Sequence, residues 1–263
     1  MGGATAPLIA QGRKLKAVAV WGTFARTWLE HMLDLERRRL ALSGDAPAVV
    51  NEKMRGYGEF HSLFLTRRLL PREVLAQSPH LAPLWYDQPE HMYGRPAAFF
   101  HQAQASNLVA AWEKVDAPVL AVHGEYDWIM SRSDHELIAD VVNRVRPGSA
   151  RFVEVPKTDH HFMAYDTPEQ AFQEKGGRYS AEATQVIVDW VKARLAEPLA
   201  GSFRQTIQPI LAQRCTPCHF PGGVMYGRIP FDDADAVRSH EAGVLRRLKG
   251  TDRDTVAVWL GDR

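Results

Sequence analysis

The chain holds two cysteines, and both fall in one run, Cys215-Thr216-Pro217-Cys218-His219. Two thiols at this spacing, followed at once by an imidazole, suit covalent haem attachment. Each thiol adds to one vinyl group of a porphyrin, and the adjacent His is placed beneath the iron as proximal ligand. The run predicts haem c as cofactor, Cys215 and Cys218 as its covalent anchors and His219 as an iron ligand. It further predicts one-electron exchange with a redox protein or a small donor or acceptor. Such attachment happens outside the cytoplasm, so a periplasmic or otherwise exported setting is expected. Other chemistries use the same spacing. A thioredoxin-type C-x-x-C would sit between a strand and a helix, whereas here the motif ends a helical pattern. A zinc site would need one or two more ligands, and no further Cys exists. A redox-inert module, with the cysteines as a disulfide or as thiols, is the third alternative.

A distal ligand has two conventional candidates after residue 202, His240 and Met225. Met225 lies six residues after His219, a span of about 20 Å when fully extended, and Gly222-Gly223 would turn within it. His240 has ample chain to reach the distal face and is preferred, with Met225 as runner-up. Residues 248–251 carry no methionine between the last two helical patterns.

A second pair of residues could do acid–base work. Asp127 follows the apolar run 118–123, and His160 follows the run 151–155. In open parallel sheets the ligand crevice lies beyond the carboxyl ends of the strands, so both side chains would point into one site. An Asp that fixes an imidazole tautomer and a His that takes a nucleophile's proton are two members of a hydrolytic triad. His161 is a substitute for His160. Ser131 and Ser133 do not sit in a strand–turn G-x-S-x-G setting, so neither is a credible nucleophile. His61, Tyr93, Phe99, Phe100 and His101 read as packing within a helical insertion.

The elements that must position these residues follow from the pattern. Runs 15–21, 118–123 and 151–155 read as buried strands, and 134–145 and 181–195 as helices. Strand and helix alternate, which argues for a parallel α/β sheet. Residues 24–113 read as a mostly helical insertion. Residues 197–202 form a composition break and a linker. Beyond them, 203–214, a stretch introduced by Pro230 and 252–260 read as helices of a small all-α domain over 203–263. Apolar content is 45%, charged content 24% and formal net charge +1 over 263 residues. That composition suits a globular chain and carries no electrostatic footprint for nucleic acid. No apolar run is long enough to cross a bilayer.

Residues 117–128 (Ala117 to Trp128) and Thr158-Asp159-His160-His161-Phe162 resemble the acid and base segments of the α/β-hydrolase superfamily, on its serine esterase and peptidase side. The resemblance covers about residues 1–196 and implies a partial hydrolase sheet with a helical lid at 24–113. It also implies that Met1-Gly2-Gly3-Ala4-Thr5-Ala6 is the second half of a nucleophile elbow, with the serine and the earlier strands absent. A chain of that kind is expected to lack useful hydrolase activity, to lack an export signal and to be aggregation-prone. The alternative function is a serine-type ester or peptide hydrolase with an accessory haem domain, active only with the missing half. Residues 207–219 resemble the opening of small bacterial monohaem cytochrome c domains, often fused to enzymes. That resemblance implies haem c in an all-α domain over 203–263.

Overall fold

A computed structural model describes residues 2–87, 90–196 and 203–261. The expected linker at 197–202 lies outside the described residues. The chain divides into two compact units, Met1–Arg194 and Leu195–Arg263. It is a mixed α/β protein in which helices dominate and the main sheet is small and parallel. Among the described residues no helix is long and apolar enough to cross a membrane.

In the first unit, helix α1 (Gly2–Ala10) leads into strand β1 (Val18–Trp21). An insertion follows, carrying α2 (Trp28–Leu42), α3 (Pro47–His61), α4 (Pro71–Gln77), α5 (Ala97–Ala105) and α6 (Leu108–Glu113). A π-helical turn, Ser62–Thr66, and a 3-10 segment, Pro79–Leu84, interrupt it. The chain then returns to the sheet through β2 (Val119–Gly124), α7 (Arg132–Val145) and β3 (Ala150–Val155). Helices α8 (Pro168–Phe172) and α9 (Ala181–Ala196) complete the unit.

The three strands are parallel in the order β1–β2–β3, with Val18 opposite Val119 and Leu120 opposite Arg151. The apolar run of β2 is buried at every position, as a central strand covered on both faces requires. Alternate residues serve opposite faces. Val18, Val20, Val119 and Ala121 pack with Ile138, Val141 and Val142 of α7. Leu120, Val122 and Ala19 pack with Ala183, Val186 and Trp190 of α9. The result is a helix–sheet–helix sandwich whose strand ends face the insertion's own core around Met32, Phe60, Phe64 and Phe100. Start signals are explicit. Thr27 and Glu30 form a reciprocal capping box on α2, and the Ser131 hydroxyl accepts from the Asp134 amide at the start of α7.

Among its described residues the second unit is all helical. A π-helical turn, Phe203–Ile207, runs into α10 (Gln208–Cys215), followed by α11 (Ala234–Ser239), α12 (Glu241–Arg247) and α13 (Gly250–Gly261). Phe203, Ile207, Leu211, Val256, Trp259 and Leu260 share one core with Phe231, Val237 and Val244. The rings of Phe203 and Trp259 lie 5.1 Å apart. Asp233 caps α11 through bonds to the amides of Asp235 and Ala236.

Candidate functional sites

Asp127 occupies the turn that closes β2, its amide donating to the Gly124 carbonyl at 2.9 Å. Its buried carboxylate accepts on one oxygen from the amides of Ile129 (2.9 Å) and Met130 (2.8 Å). The other oxygen lies 2.8 Å from Nδ1 of His160, whose side chain is 25% exposed. Burial pushes the Asp127 carboxyl up, but the bond and charge of His160 and the Met130 amide outweigh it, and the group lies below the usual carboxylate range. An ionised Asp127 accepts a hydrogen bond from His160 Nδ1–H. The open nitrogen Nε2, with no hydrogen-bond partner among the described residues, is left as a base.

The loop that carries His160 is held independently. Asp159 accepts from the amides of His161 and Met163, both at 2.8 Å. Trp21, at the end of β1, donates to the His160 carbonyl at 3.0 Å and stacks on Phe162 with centroids 4.1 Å apart. Gly22 follows with φ +52°, and a Cβ there would stand 2.7 Å from the His160 ring. A Cβ on Gly3 would stand 2.6 Å from the Thr23 hydroxyl, so the first turn of α1 lies beside Gly22 and Thr23. The N-terminal end of one helix, the end of β1 and the Asp127–His160 pair therefore converge on one spot. His161 is exposed, with Nδ1 3.8 Å from Asp159.

A buried cluster that spacing did not disclose fixes the chain just after β1. Asp134 accepts from the amides of Ala25 and Arg26, from Arg26 Nε and from the Ser131 hydroxyl. Burial raises the Asp134 carboxyl, but the Arg26 and Ser131 bonds hold it below its ordinary value. Nε2 of His135 accepts from the Thr23 amide at 3.0 Å, while its Nδ1–H donates to the Ser131 carbonyl at 2.8 Å. Ser131 and Ser133 belong to this cluster. The insertion residues expected as packing sort cleanly. His61, His101 and Phe100 are buried and Phe99 packs against the same core, whereas Tyr93 lines a cavity.

In the second unit, Cys215 ends α10 half-buried, Cys218 is exposed, and both are free thiols. His219 folds back beneath the motif, its amide donating to the Cys215 carbonyl at 3.2 Å. Its Nδ1 lies 3.0 Å from the Ile229 carbonyl, and its ring stacks on Phe231 at 4.0 Å and 8°. A carbonyl partner requires Nδ1 to carry the proton, so Nε2 is left as a lone-pair donor. Gly223 is packed so closely on the Pro217 and Cys218 carbonyls that a Cβ would have no room. Burial pushes the Cys215 thiol up, opposite to the activation that thiol–disulfide exchange uses.

The backbone of Met225 is bonded to the Cys218 carbonyl at 2.9 Å, which folds it onto the attachment segment. His240 stands exposed between α11 and α12, with Nδ1 2.9 Å from the Ala236 carbonyl and Nε2 open. Among the described residues, no three His, Cys, Asp or Glu side chains converge as a protein-only metal cage needs. A porphyrin supplies its own four equatorial nitrogens, so a haem asks the chain only for axial donors. No protein-family model, curated protein or solved structure matches this chain.

Proposed function

We propose that the 203–263 unit is a small cytochrome c-like module that holds haem covalently through Cys215 and Cys218, with His219 on the iron. The supporting observation is the Nδ1–H bond from His219 to the Ile229 carbonyl. It fixes the tautomer and ring orientation that a proximal imidazole needs, and metal-binding histidines are commonly held by such an outer partner. Phe231 stacks on the ring and braces that orientation. Two free thiols at C-x-x-C spacing and an adjacent oriented imidazole form a donor set that fits haem c. When bound, the haem would supply the one-electron redox change at iron. The chain's own part would be to anchor it through the two thiols and to present Nε2 of His219. His240 is the preferred distal donor, because its Nε2 is open whereas Met225 is tied to the attachment segment. Covalent attachment of this type would require an exported compartment.

The test is production with periplasmic haem-attachment machinery, followed by a haem-stained denaturing gel. A stained band at the size of the chain, lost in Cys215→Ser and Cys218→Ser, is expected. An unstained band with two titratable thiols would overturn the proposal.

A second reading has its own observation, the 2.8 Å bond between Asp127 and His160 beside the first turn of α1. We propose that unit 1 is a partial α/β-hydrolase carrying the acid and base of a serine-type triad. A nucleophile of such a triad would have to lie within reach of Nε2 of His160. Fluorophosphonate labelling of a chain made with its upstream coding sequence, lost in His160→Ala, is the expected result. Labelling unaffected by that variant would remove the reading.

A further inference from the structure

Helix α2 carries three arginines in a row, and at about 100° per residue they leave it in three directions. Arg37 is exposed, with Asn51 at 3.4 Å. Arg39 turns to Glu36 and to the Tyr57 hydroxyl, each at 2.8 Å. Arg38, half-buried between them, reaches the loop that follows Asp127. Its Nε donates to the Trp128 carbonyl at 2.8 Å and its Nη2 to the Ile129 carbonyl at 2.9 Å. The two bonds span 90 and 91 positions of chain, from the insertion to the end of the sheet.

These carbonyls belong to the same peptide groups as the two amides that bind Asp127. The Trp128 carbonyl and the Ile129 amide are one planar unit, and the Ile129 carbonyl and the Met130 amide are the next. Both amides donate to one oxygen of Asp127, at 2.9 and 2.8 Å, and the other oxygen is left for His160. Each unit therefore has Arg38 at its carbonyl end and Asp127 at its amide end. A peptide dipole of about 3.5 D lies along each, with its positive end on the carboxylate. Hydrogen bonds in series polarise one another, and more strongly where water is excluded. The Met130 carbonyl, next along the loop, faces Nε2 of His123 at 3.2 Å.

Among the described residues no carboxylate is hydrogen-bonded to Arg38. Burial lowers its pKa, against the pull of Asp34, Asp127 and Asp134, yet a guanidinium stays charged throughout the working pH range. A cation withdrawn from water onto two neutral carbonyls is costly, unless those carbonyls pass its field on to an anion. We propose that Arg38 is the counter-charge of Asp127, acting through the two peptide groups to hold the carboxylate turned towards His160. Arg38 is thus a positioning residue, and through it the insertion governs the acid–base pair, because a displacement of α2 would release the loop. The proposal rests on the triad reading only for its consequence in catalysis.

The test is NMR of the isotope-labelled full chain at neutral pH. The low-field His160 Nδ1–H resonance, identified by its absence in His160→Gln, reports the bond to Asp127. Hydrogen exchange at the Ile129 and Met130 amides reports the bridge. Arg38→Met keeps much of the stem and removes the fork. It should speed exchange at those two amides at least about tenfold, the scale of one lost bond to a charged group. It should also broaden the His160 resonance beyond detection, while exchange at Ala121 and Val122 of β2 stays as in the parent chain. Arg38→Lys, which keeps the charge, should recover part of both effects. Where the methionine variant does not fold, Arg38→Gln takes its place with the same expectations. Absence of the resonance in the parent chain, its persistence in the neutral variant, unchanged exchange at Ile129 and Met130, or a lysine variant no better than the neutral one would overturn the proposal. These readouts need no nucleophile, whereas fluorophosphonate labelling does, so the triad reading and this proposal can fail separately.

Discussion

Mild acid should unfold the first unit, and three histidines set the magnitude. His31, His61 and His135 are each no more than 2% exposed. Burial lowers their pKa values from 6.5 to about 4, about 3 and about 4 respectively. A depressed histidine pKa means that the unfolded chain binds the proton first. Their neutral forms therefore suit the folded state above pH 6.5, and stability is lost as pH falls from there towards 4. At about pH 5 each group costs about 2 kcal/mol by linkage, or on the order of 6 kcal/mol together. That is comparable with the whole stability of many domains. The loss has a structural meaning at His135, whose Nε2 cannot accept from the Thr23 amide once protonated. Asp127 and Asp134, with lowered carboxyl pKa values, lose their contribution only at still lower pH. They do not blur the window.

The assay is urea unfolding of the full chain, followed by tryptophan fluorescence at a series of pH values between about 7.5 and 5. The midpoint should fall steeply across that interval. His61→Phe should remove about a third of the slope, since both ring nitrogens of His61 are buried without partners among the described residues and its ring already sits against Tyr57 and Phe60. A flat midpoint in the parent chain would refute the reasoning. So would a full slope in His61→Phe.

Three further perturbations test particular contacts. Gly22→Ala adds a Cβ at φ +52° and against the His160 ring; a loss of about 1–2 kcal/mol and a shifted His160 imidazole resonance are expected. Asp127→Ala strips two amides and one imidazole of a buried acceptor, which should cost about 3 kcal/mol in urea unfolding, while exposed His161→Ala should cost almost nothing. In haem-loaded protein, His240→Ala should convert a low-spin spectrum to high-spin; an unchanged spectrum would remove His240 as the distal donor.

Legibility in the sequence followed the range over which each signal acts. The run before Asp127 is apolar at every position because β2 is buried on both faces, so strand and site residue could be placed together. The apolar pattern places the start of α7 at 134, but the helix opens two residues earlier, at Arg132, because the Ser131 hydroxyl caps it there. The buried polar residues were hidden for a deeper reason. Glu36 lies in the charged run LERRRL of α2, yet it is fully buried, with Arg39 and the distant Tyr86 as its partners. Asp134 meets Arg26 across 108 positions of chain. A charged side chain declares its burial only through its partners, and spacing carries no trace of partners that far away.

The cysteine motif shows the opposite case, in which the structural signal is local. C-x-x-C serves thiol exchange when it opens a helix, where the positive end of the dipole favours a thiolate. Here α10 ends at Cys215, so the nearest helix terminus is the carbonyl end, and burial also disfavours the charged thiol. Both effects keep the sulfur a poor exchange nucleophile. Neither bears on His219, whose Nδ1–H is committed to Ile229 ten residues on and whose Nε2 is thereby left open. The direction of one helix thus weighs against thiol exchange where the five residues alone are silent, and the amphipathic run before the motif already carried that direction.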